Sequence, residues 1–264
     1  MTALWSAVSG DGAHGNVALV HGALDRSAGL LRLSRRLDDR FRVLRYDRRG
    51  YGRSLPHDGP FAMVDQVGDL TSLLEVVGDS DCGVSMSPSV VVGHSYGGNV
   101  ALAAAQQRPD LIGAVVVYES PLSWRPWWPH GRRGDAADDW THDPAAAAEG
   151  FMRSLIGDDR WERLPPSSRR ARRAEGVAMV QEMVDLRAHA PWEPAHIEVP
   201  VLALYGAEGQ AHHQRAAHTI ADEISAAEVA AVADAGHFGP NTHPDAVADA
   251  ITDFLRRRLP IQAD

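Results

Sequence analysis

The chain of 264 residues is 44% hydrophobic and 23% charged, which is the composition of a globular protein with a sizeable core. Its formal net charge of −9 argues against binding to nucleic acid or to an anionic membrane surface. A single cysteine, Cys82, excludes an internal disulfide bond and is typical of a reducing compartment. The first residues lack the basic start and apolar core of a signal peptide, so the sequence predicts a cytoplasmic protein.

The N-terminal third alternates between strand and helix patterns. Residues 3–8 alternate weakly, and the apolar residues 16–20 predict a buried strand that leads into His21. Leucines at helical spacing within residues 27–40 predict an amphipathic helix. Further segments in this part are a predicted strand at residues 41–46 and a predicted helix at residues 62–77.

The most informative stretch is a β-branched run, residues 90–92, that ends in Gly-His-Ser-Tyr-Gly and is followed by small residues of helical composition. This order predicts a strand, a tight turn and a helix, with Ser95 at the apex. Gly93 and Gly97 leave room for the neighbouring backbone, and the helix N-terminus offers N–H groups that stabilise negative charge. We therefore predict that Ser95 is a nucleophile. The alternative is a turn serine that caps the helix.

The second half of the chain continues this alternation around a segment of different composition. Residues 112–118 predict a fully buried strand that ends at Glu119. Residues 121–197 hold six of the seven tryptophans, several prolines and two helical patterns. Strand and helix patterns resume at residues 199–205, 212–223, 228–232 and 243–258. Strands that alternate with helices predict an α/β protein with a mostly parallel central sheet and helices on both faces.

Among the 13 histidines, His237 is the strongest candidate for a general base. It lies in a Gly-His-Phe loop between the last predicted strand and the last predicted helix, downstream of Ser95. A serine hydroxyl is a poor nucleophile until a base takes its proton, and a carboxylate must hold that base in the correct tautomer. A nucleophile, an acid and a base are therefore expected in this chain order.

The His-Gly turn at residues 21–22, the charged loop at residues 47–54, the serine turn and His237 together resemble a serine hydrolase of the α/β-hydrolase fold. The resemblance extends over nearly the whole chain. It implies an oxyanion hole formed by the backbone N–H groups of Ala23 and Tyr96. In the family, the charged loop mainly braces the loops near the active site.

The resemblance also implies a division of the chain into two parts. Residues 1–120 and 198–264 would form the α/β-hydrolase core, and residues 121–197 would form a helical lid inserted after the sixth strand. The tryptophan cluster could wall an apolar pocket, and the alternative is a small separate core of the insert. The predicted pocket residues are Leu24, Trp124, Trp127, Trp128 and Phe238.

The acid is where the sequence departs from the family pattern. The strand at residues 199–205 leads to Gly-Ala-Glu-Gly, so Gly209 stands where the family usually has an aspartate. Glu119 and Glu208 are the possible substitutes, and the remaining alternative is a dyad without an acid or a different acid. We favour Glu119, because a carboxylate at that strand tip is costly to bury without a cationic partner, which His237 supplies. Some relatives, including haloalkane dehalogenases, place an acid at this strand tip.

These residues predict hydrolysis of an ester, thioester or lactone of a small, apolar substrate through an acyl-enzyme intermediate. The only expected partner is that small molecule. No cofactor or metal is expected, because His212, His213 and His218 have no carboxylate or cysteine at ligand spacing. The alternatives are a lyase or cofactor-free oxygenase of the same fold, and a noncatalytic ligand-binding member.

Overall fold

The computed structural model of the protein describes residues 3–78, 88–129 and 137–259, so that Cys82 lies outside the described residues. The strands are β1 (Ser6–Ser9), β2 (Asn16–Val20), β3 (Arg42–Tyr46), β4 (Ser89–His94), β5 (Ile112–Tyr118), β6 (Val201–Gly206) and β7 (Ala227–Val232). The helices are α1 (Leu31–Leu37), α2 (Met63–Gly78), α3 (Tyr96–Gln107), α4 (Ala137–His142), α5 (Pro144–Ile156), α6 (Asp158–Arg163), α7 (Pro166–Ala174), α8 (Gly176–Ala188), α9 (Ala211–Glu223), α10 (Gly239–Thr242) and α11 (Pro244–Arg258). Short 3₁₀ turns occupy Ser27–Leu30, Gly52–Ser54 and Pro194–His196.

The seven strands form one sheet in the order β1-β3-β2-β4-β5-β6-β7. Only β1 runs antiparallel to its neighbour, and the other pairs are parallel. The predicted fold class is thereby confirmed. One detail of the prediction is wrong: among the described residues, five strands and not six precede the inserted helices. Across the described ranges, no helix is both long and apolar enough to cross a bilayer.

Helices cover both faces of the sheet because successive strand residues point to opposite sides. Val91 of β4 packs into a cluster with apolar residues of α2, α3 and α9. Its neighbours Val90 and Val92 pack into a second cluster, with apolar residues of α1 and α11. All six residues of β4 are buried. The strand that carries Ser95 at its end is therefore fixed between two apolar layers.

The inserted helices α4–α8 bring their own apolar cluster, which includes Trp161 and Met179. This cluster also contains Leu24, Tyr51 and Phe61, which belong to loops of the sheet domain. Burial of shared apolar surface therefore holds the insert against these loops.

An ion pair with no solvent exposure joins the insert to the loop after β3. The Arg48 guanidinium pairs with the Glu182 carboxylate of α8, and both side chains are fully buried. The Tyr51 hydroxyl donates to Glu182 Oε2 at 2.6 Å, and Gln66 Nε2 donates to Glu182 Oε1 at 2.9 Å. Both carboxylate oxygens are thus satisfied, as burial of a charge requires.

The same arginine holds the turn that follows β2. Arg48 Nε donates to the His21 carbonyl at 2.9 Å, and Arg48 Nη2 donates to the Gly22 carbonyl at 3.2 Å. The Arg48 backbone N–H donates to His21 Nε2 at 2.9 Å. Its guanidinium also lies over the rings of Tyr51 and Tyr96. The bracing role that the resemblance implies for the charged loop is carried by these contacts.

Removal of the Glu182 carboxylate should strongly destabilise the protein. Glu182→Ala leaves the buried Arg48 charge without its partner, and we expect the free energy of unfolding to fall by about 3–5 kcal/mol. Urea denaturation followed by circular dichroism measures this change. The matched control is Glu162→Ala, which removes exposed ion pairs to Arg153 and Arg169 and should cost less than about 1 kcal/mol. Equal losses in the two variants would contradict the assigned role of the buried pair.

Candidate active site

Ser95 lies in a strained turn between β4 and α3. Its backbone has φ 53° and ψ −125°, a conformation that residues with side chains rarely adopt. The Ser95 N–H donates to the Tyr118 carbonyl at 2.8 Å, which ties the turn to β5. Strain of this kind persists only where the surrounding structure imposes it, and it is common at functional sites.

The two glycines of the turn are required by close backbone approach. A Cβ atom on Gly97 would lie 2.2 Å from the Val20 carbonyl oxygen. A Cβ atom on Gly93 would lie 2.4 Å from the Gly97 carbonyl oxygen. No side chain fits at either distance, so the serine turn can pack between β2 and α3 only with glycine at both positions.

His237 and Glu119 come together from distant parts of the chain. His237 follows β7, and its Nδ1 lies 2.7 Å from Glu119 Oε2. Glu119 follows β5 directly, adopts φ 48° and is 1% exposed. Its other oxygen, Oε1, accepts from the Gly206 N–H at 3.0 Å. A carboxylate that accepts from Nδ1–H leaves Nε2 as the nitrogen with the available lone pair.

Glu208, the alternative acid, is placed differently. The residue is exposed, and its backbone N–H donates to the Ala235 carbonyl at 2.9 Å. The hydrogen bond from His237 Nδ1 goes to Glu119 and not to this side chain.

The Glu119 carboxylate fills the space beside Gly209. A Cβ atom on Gly209 would lie only 2.3 Å from Glu119 Oε1. A side chain at position 209 and the carboxylate of Glu119 therefore exclude each other sterically. This contact gives a physical reason for the glycine that departs from the family pattern.

Two further buried histidines pack against His237, and sequence reasoning did not place either of them there. His94, next to Ser95, contacts the His237 carbonyl through Nε2 at 2.8 Å, with ring centroids 4.8 Å apart. His213 of α9 stacks on His237 with centroids 4.8 Å apart and an interplanar angle of 27°. Burial lowers the pKa of His94 to about 3, and burial followed by the nearby His237 holds the pKa of His213 well below its usual range. Only the position of His94 within the serine turn could have indicated such a role.

The predicted oxyanion-hole residues belong to the turn after β2 and to the start of α3. Tyr96 is the first residue of α3, so its N–H has no acceptor within the helix. Ala23 follows Gly22, whose Cβ position would be 2.9 Å from the Ser95 Cβ atom. The turn that carries Ala23 is the one that Arg48 holds by its carbonyl groups. Two backbone N–H groups near one serine can stabilise an oxyanion.

The structure separates the predicted pocket residues into two groups. Phe238 packs edge-on against His237, with ring centroids 5.6 Å apart, and Trp128 packs edge-on against His213, with ring centroids 5.2 Å apart. Leu24 is buried in the apolar cluster shared with the insert.

The other two predicted pocket residues, Trp124 and Trp127, are partly buried against the core cluster that contains Val91. Trp124 lies edge-on to Trp192 at 5.5 Å. Trp127 lies under the Arg215 guanidinium at 4.3 Å. Trp127 also packs against Trp128, with ring centroids 6.0 Å apart, and Trp128 packs against the same core cluster.

The profile of the Alpha/beta hydrolase family matches residues 17–250 of the chain. The chain belongs to this family. It is similar to a pimeloyl-(acyl-carrier protein) methyl ester esterase from Aromatoleum aromaticum, at 29% identity over 64% of this chain and 74% of that protein. It is also similar to a putative carbamate hydrolase from Caulobacter segnis, at 38% identity over 31% of this chain and 28% of that protein. That second match therefore spans less than a third of either chain.

Solved structures agree with the family assignment. An alpha/beta hydrolase from Sphaerobacter thermophilus superposes with a TM-score of 0.73 at 25% identity, over 96% of both chains. The enol-lactonase from Burkholderia xenovorans superposes with a TM-score of 0.72 at 23% identity, again over 96% of both chains, and this likeness concerns the fold alone. An esterase and two lipases are among the relatives that the chain matches.

The buried histidines should make stability depend on pH. Below the unfolded pKa of about 6.5, the unfolded chain binds a proton at His94 that the folded chain, with a pKa of about 3, does not. We therefore expect stability to be fully present above about pH 6.5 and to decrease as the pH falls towards 3. For His94 alone, the free energy of unfolding should fall by up to about 1.4 kcal/mol for each pH unit below about 6.5.

Urea denaturation at about pH 7.5, 6 and 5, which covers the upper part of this range, measures the change in the free energy of unfolding. His94→Gln should flatten the pH dependence, whereas His196→Gln, at an exposed position, should leave it unchanged. A His94→Gln profile parallel to that of the wild type would refute this linkage.

Proposed function

We propose that the protein is a serine hydrolase that cleaves an ester, thioester or lactone of a small, apolar substrate through an acyl-enzyme intermediate. The observation that carries the proposal is the hydrogen bond between His237 Nδ1 and the buried Glu119 carboxylate. Ser95 lies in a strained turn, and its chain neighbour His94 contacts the His237 carbonyl. In this proposal Ser95, His237 and Glu119 are the catalytic triad. The family assignment and the esterases among the relatives support the same reaction type.

The proposed reaction begins with proton transfer from Ser95 to His237 Nε2. The serine oxygen attacks the substrate carbonyl carbon, and the resulting oxyanion accepts hydrogen bonds from the Ala23 and Tyr96 N–H groups. His237 then donates its proton to the leaving group, and the acyl-enzyme remains. A water molecule, deprotonated by His237, releases the acid and restores Ser95.

The Glu119 carboxylate orients the His237 ring and stabilises its positive form in both steps. His94 helps to position His237, because its Nε2 atom contacts the His237 carbonyl. The base is therefore held at its ring by a carboxylate and at its backbone by a second histidine.

We further propose that residues 121–197 act as a lid and that Leu24, Trp128 and Phe238 line the acyl pocket. Trp128 supports this assignment because it packs on His213, which itself stacks on His237. The aromatic and aliphatic character of these side chains favours an apolar acyl group. Trp124 and Trp127, which pack on Trp192 and Arg215, would act through the shape of the lid.

The choice of acid can be tested with p-nitrophenyl acetate as substrate. Ser95→Ala should reduce kcat by about 10⁶-fold, and Glu119→Gln should reduce it by about 10³- to 10⁴-fold, because the imidazole loses its tautomer and its charge partner. Glu208→Gln is the matched control and should retain wild-type turnover. Circular dichroism establishes that each variant is folded.

The opposite ranking of the two glutamate variants would move the acid to Glu208. Labelling with a fluorophosphonate adds an independent readout of serine reactivity. A wild-type protein that neither hydrolyses esters nor becomes labelled at Ser95 would favour a noncatalytic binding protein. Labelling without hydrolysis products would favour lyase or oxygenase chemistry.

A second test relocates the acid. Glu119→Ala should be nearly inactive, and adding Gly209→Asp should raise kcat at least about tenfold above that of Glu119→Ala. The new carboxylate enters the space that Glu119 has left, once its Cβ atom, placed 2.8 Å from the Gly206 carbonyl oxygen, has shifted away from that backbone atom. The control is Glu119→Ala with Gly209→Asn, which has the same shape without the charge and should not recover. A folded double variant with aspartate that is no more active than Glu119→Ala would argue against this shared space.

A further inference from the structure

Glu119, His213 and His237 form a compact set of donor atoms. Within the described residues, one donor atom from each lies within 4.8 Å of those of the other two. The three residues come from the end of β5, the first turn of α9 and the loop after β7. Two imidazoles and one carboxylate are a donor set that zinc enzymes use, with the fourth position left open.

His213 contributes an independent observation. The residue is 8% exposed, and its Nδ1 is buried without a hydrogen-bond partner in the part of the chain that the structure describes. Buried polar atoms are nearly always satisfied, so an unsatisfied one in a polar cluster requires an explanation. Its ring stacks on His237, whose side chain is 17% exposed and is therefore within reach of a small solute.

We propose that Glu119, His213 and His237 bind a divalent zinc ion and that this ion reversibly inhibits the enzyme. Local spacing predicted no zinc site among the histidines of α9, because the other ligands lie far away in sequence. The donor atoms lie within 4.8 Å of one another, and zinc–nitrogen bonds are about 2.0–2.1 Å long. Only modest shifts of the side chains therefore bring all three donor atoms to one zinc ion.

Inhibition follows from either way of binding His237. Coordination of Nδ1 replaces the hydrogen bond to Glu119, and coordination of Nε2 removes the lone pair that would take the serine proton. The inhibition therefore rests on the proposed function, whereas the binding of zinc does not. Coordination through Nδ1 moves the Nδ1 proton to Nε2 or to solvent, whereas coordination through Nε2 uses a free lone pair. No other covalent bond of the protein changes, and removal of the ion restores the original protonation and arrangement.

The binding test uses the Ser95→Ala protein, titrated with zinc chloride in a buffer that does not chelate the metal. Isothermal titration calorimetry should show one ion per chain. His213→Phe in the same background keeps a stacking ring without donor atoms and should weaken binding by about tenfold or more. His212→Phe is the matched control from the same turn of α9 and should leave binding unchanged, and magnesium, which prefers oxygen ligands, should not bind.

The inhibition test follows p-nitrophenyl acetate hydrolysis by the wild type. Zinc should reduce the rate, and EDTA should restore it. If His213→Phe fails to fold, His213→Leu replaces it, with thermal melting as the check. Zinc that binds equally well to the His213 variant, or no binding at millimolar zinc, would overturn the proposal. Zinc binding that depends on His213, in a protein that hydrolyses no ester, would instead keep the site and reject the proposed function.

Discussion

The buried carboxylate of Glu119 is the constraint on which the candidate site depends. It is 1% exposed at the tip of a central strand, where an unpaired charge would carry a large desolvation cost. The Gly206 N–H satisfies one oxygen and His237 Nδ1 satisfies the other. This requirement fixes the loop after β7 against the tip of β5, and it fixes glycine at position 209 because a larger residue would collide with the carboxylate. One charge thus determines the positions of three loops around Ser95.

A second buried charge extends this order to the inserted helices. Arg48 holds the carbonyl groups of the turn that precedes Ala23, and Glu182 of α8 holds Arg48. Buried ion pairs contribute little net stability compared with apolar packing, but loss of one partner is costly. The geometry of the oxyanion loop is therefore coupled to the position of an insert helix. An insert that moves as a lid would have to move around α8, or break this pair.

The stacked histidines show how burial and reactivity are combined at this site. His94 and His213 both pack against His237, and burial favours the neutral form of both. Neutral neighbours support the His237 ring by packing without adding positive charge next to a base that must become cationic in the proposed reaction. The same closeness of imidazole nitrogens to a carboxylate creates the set of donor atoms that we propose as a zinc site.

Sequence by itself determined the elements that depend on local patterns. The alternation of apolar strands with helices predicted the parallel sheet, and the Gly-His-Ser-Tyr-Gly stretch predicted the turn at Ser95, because glycine spacing and strand endings are local properties. The sequence also reduced the acid to Glu119 or Glu208. The position of the insert after the sixth strand was implied by the resemblance and is wrong, because the strand patterns of the sequence and the assembled sheet both place five strands before it.

Tertiary structure decided which residues meet. The contact between Glu119 and His237 joins residues separated by 118 positions, and the Arg48–Glu182 pair joins residues separated by 134. No periodicity encodes such contacts, because they arise from the order in which strands assemble into a sheet and from the surface that the insert helices bury. The neighbourhood of His213 is of the same kind: its local sequence shows only adjacent histidines, and the fold places it on His237.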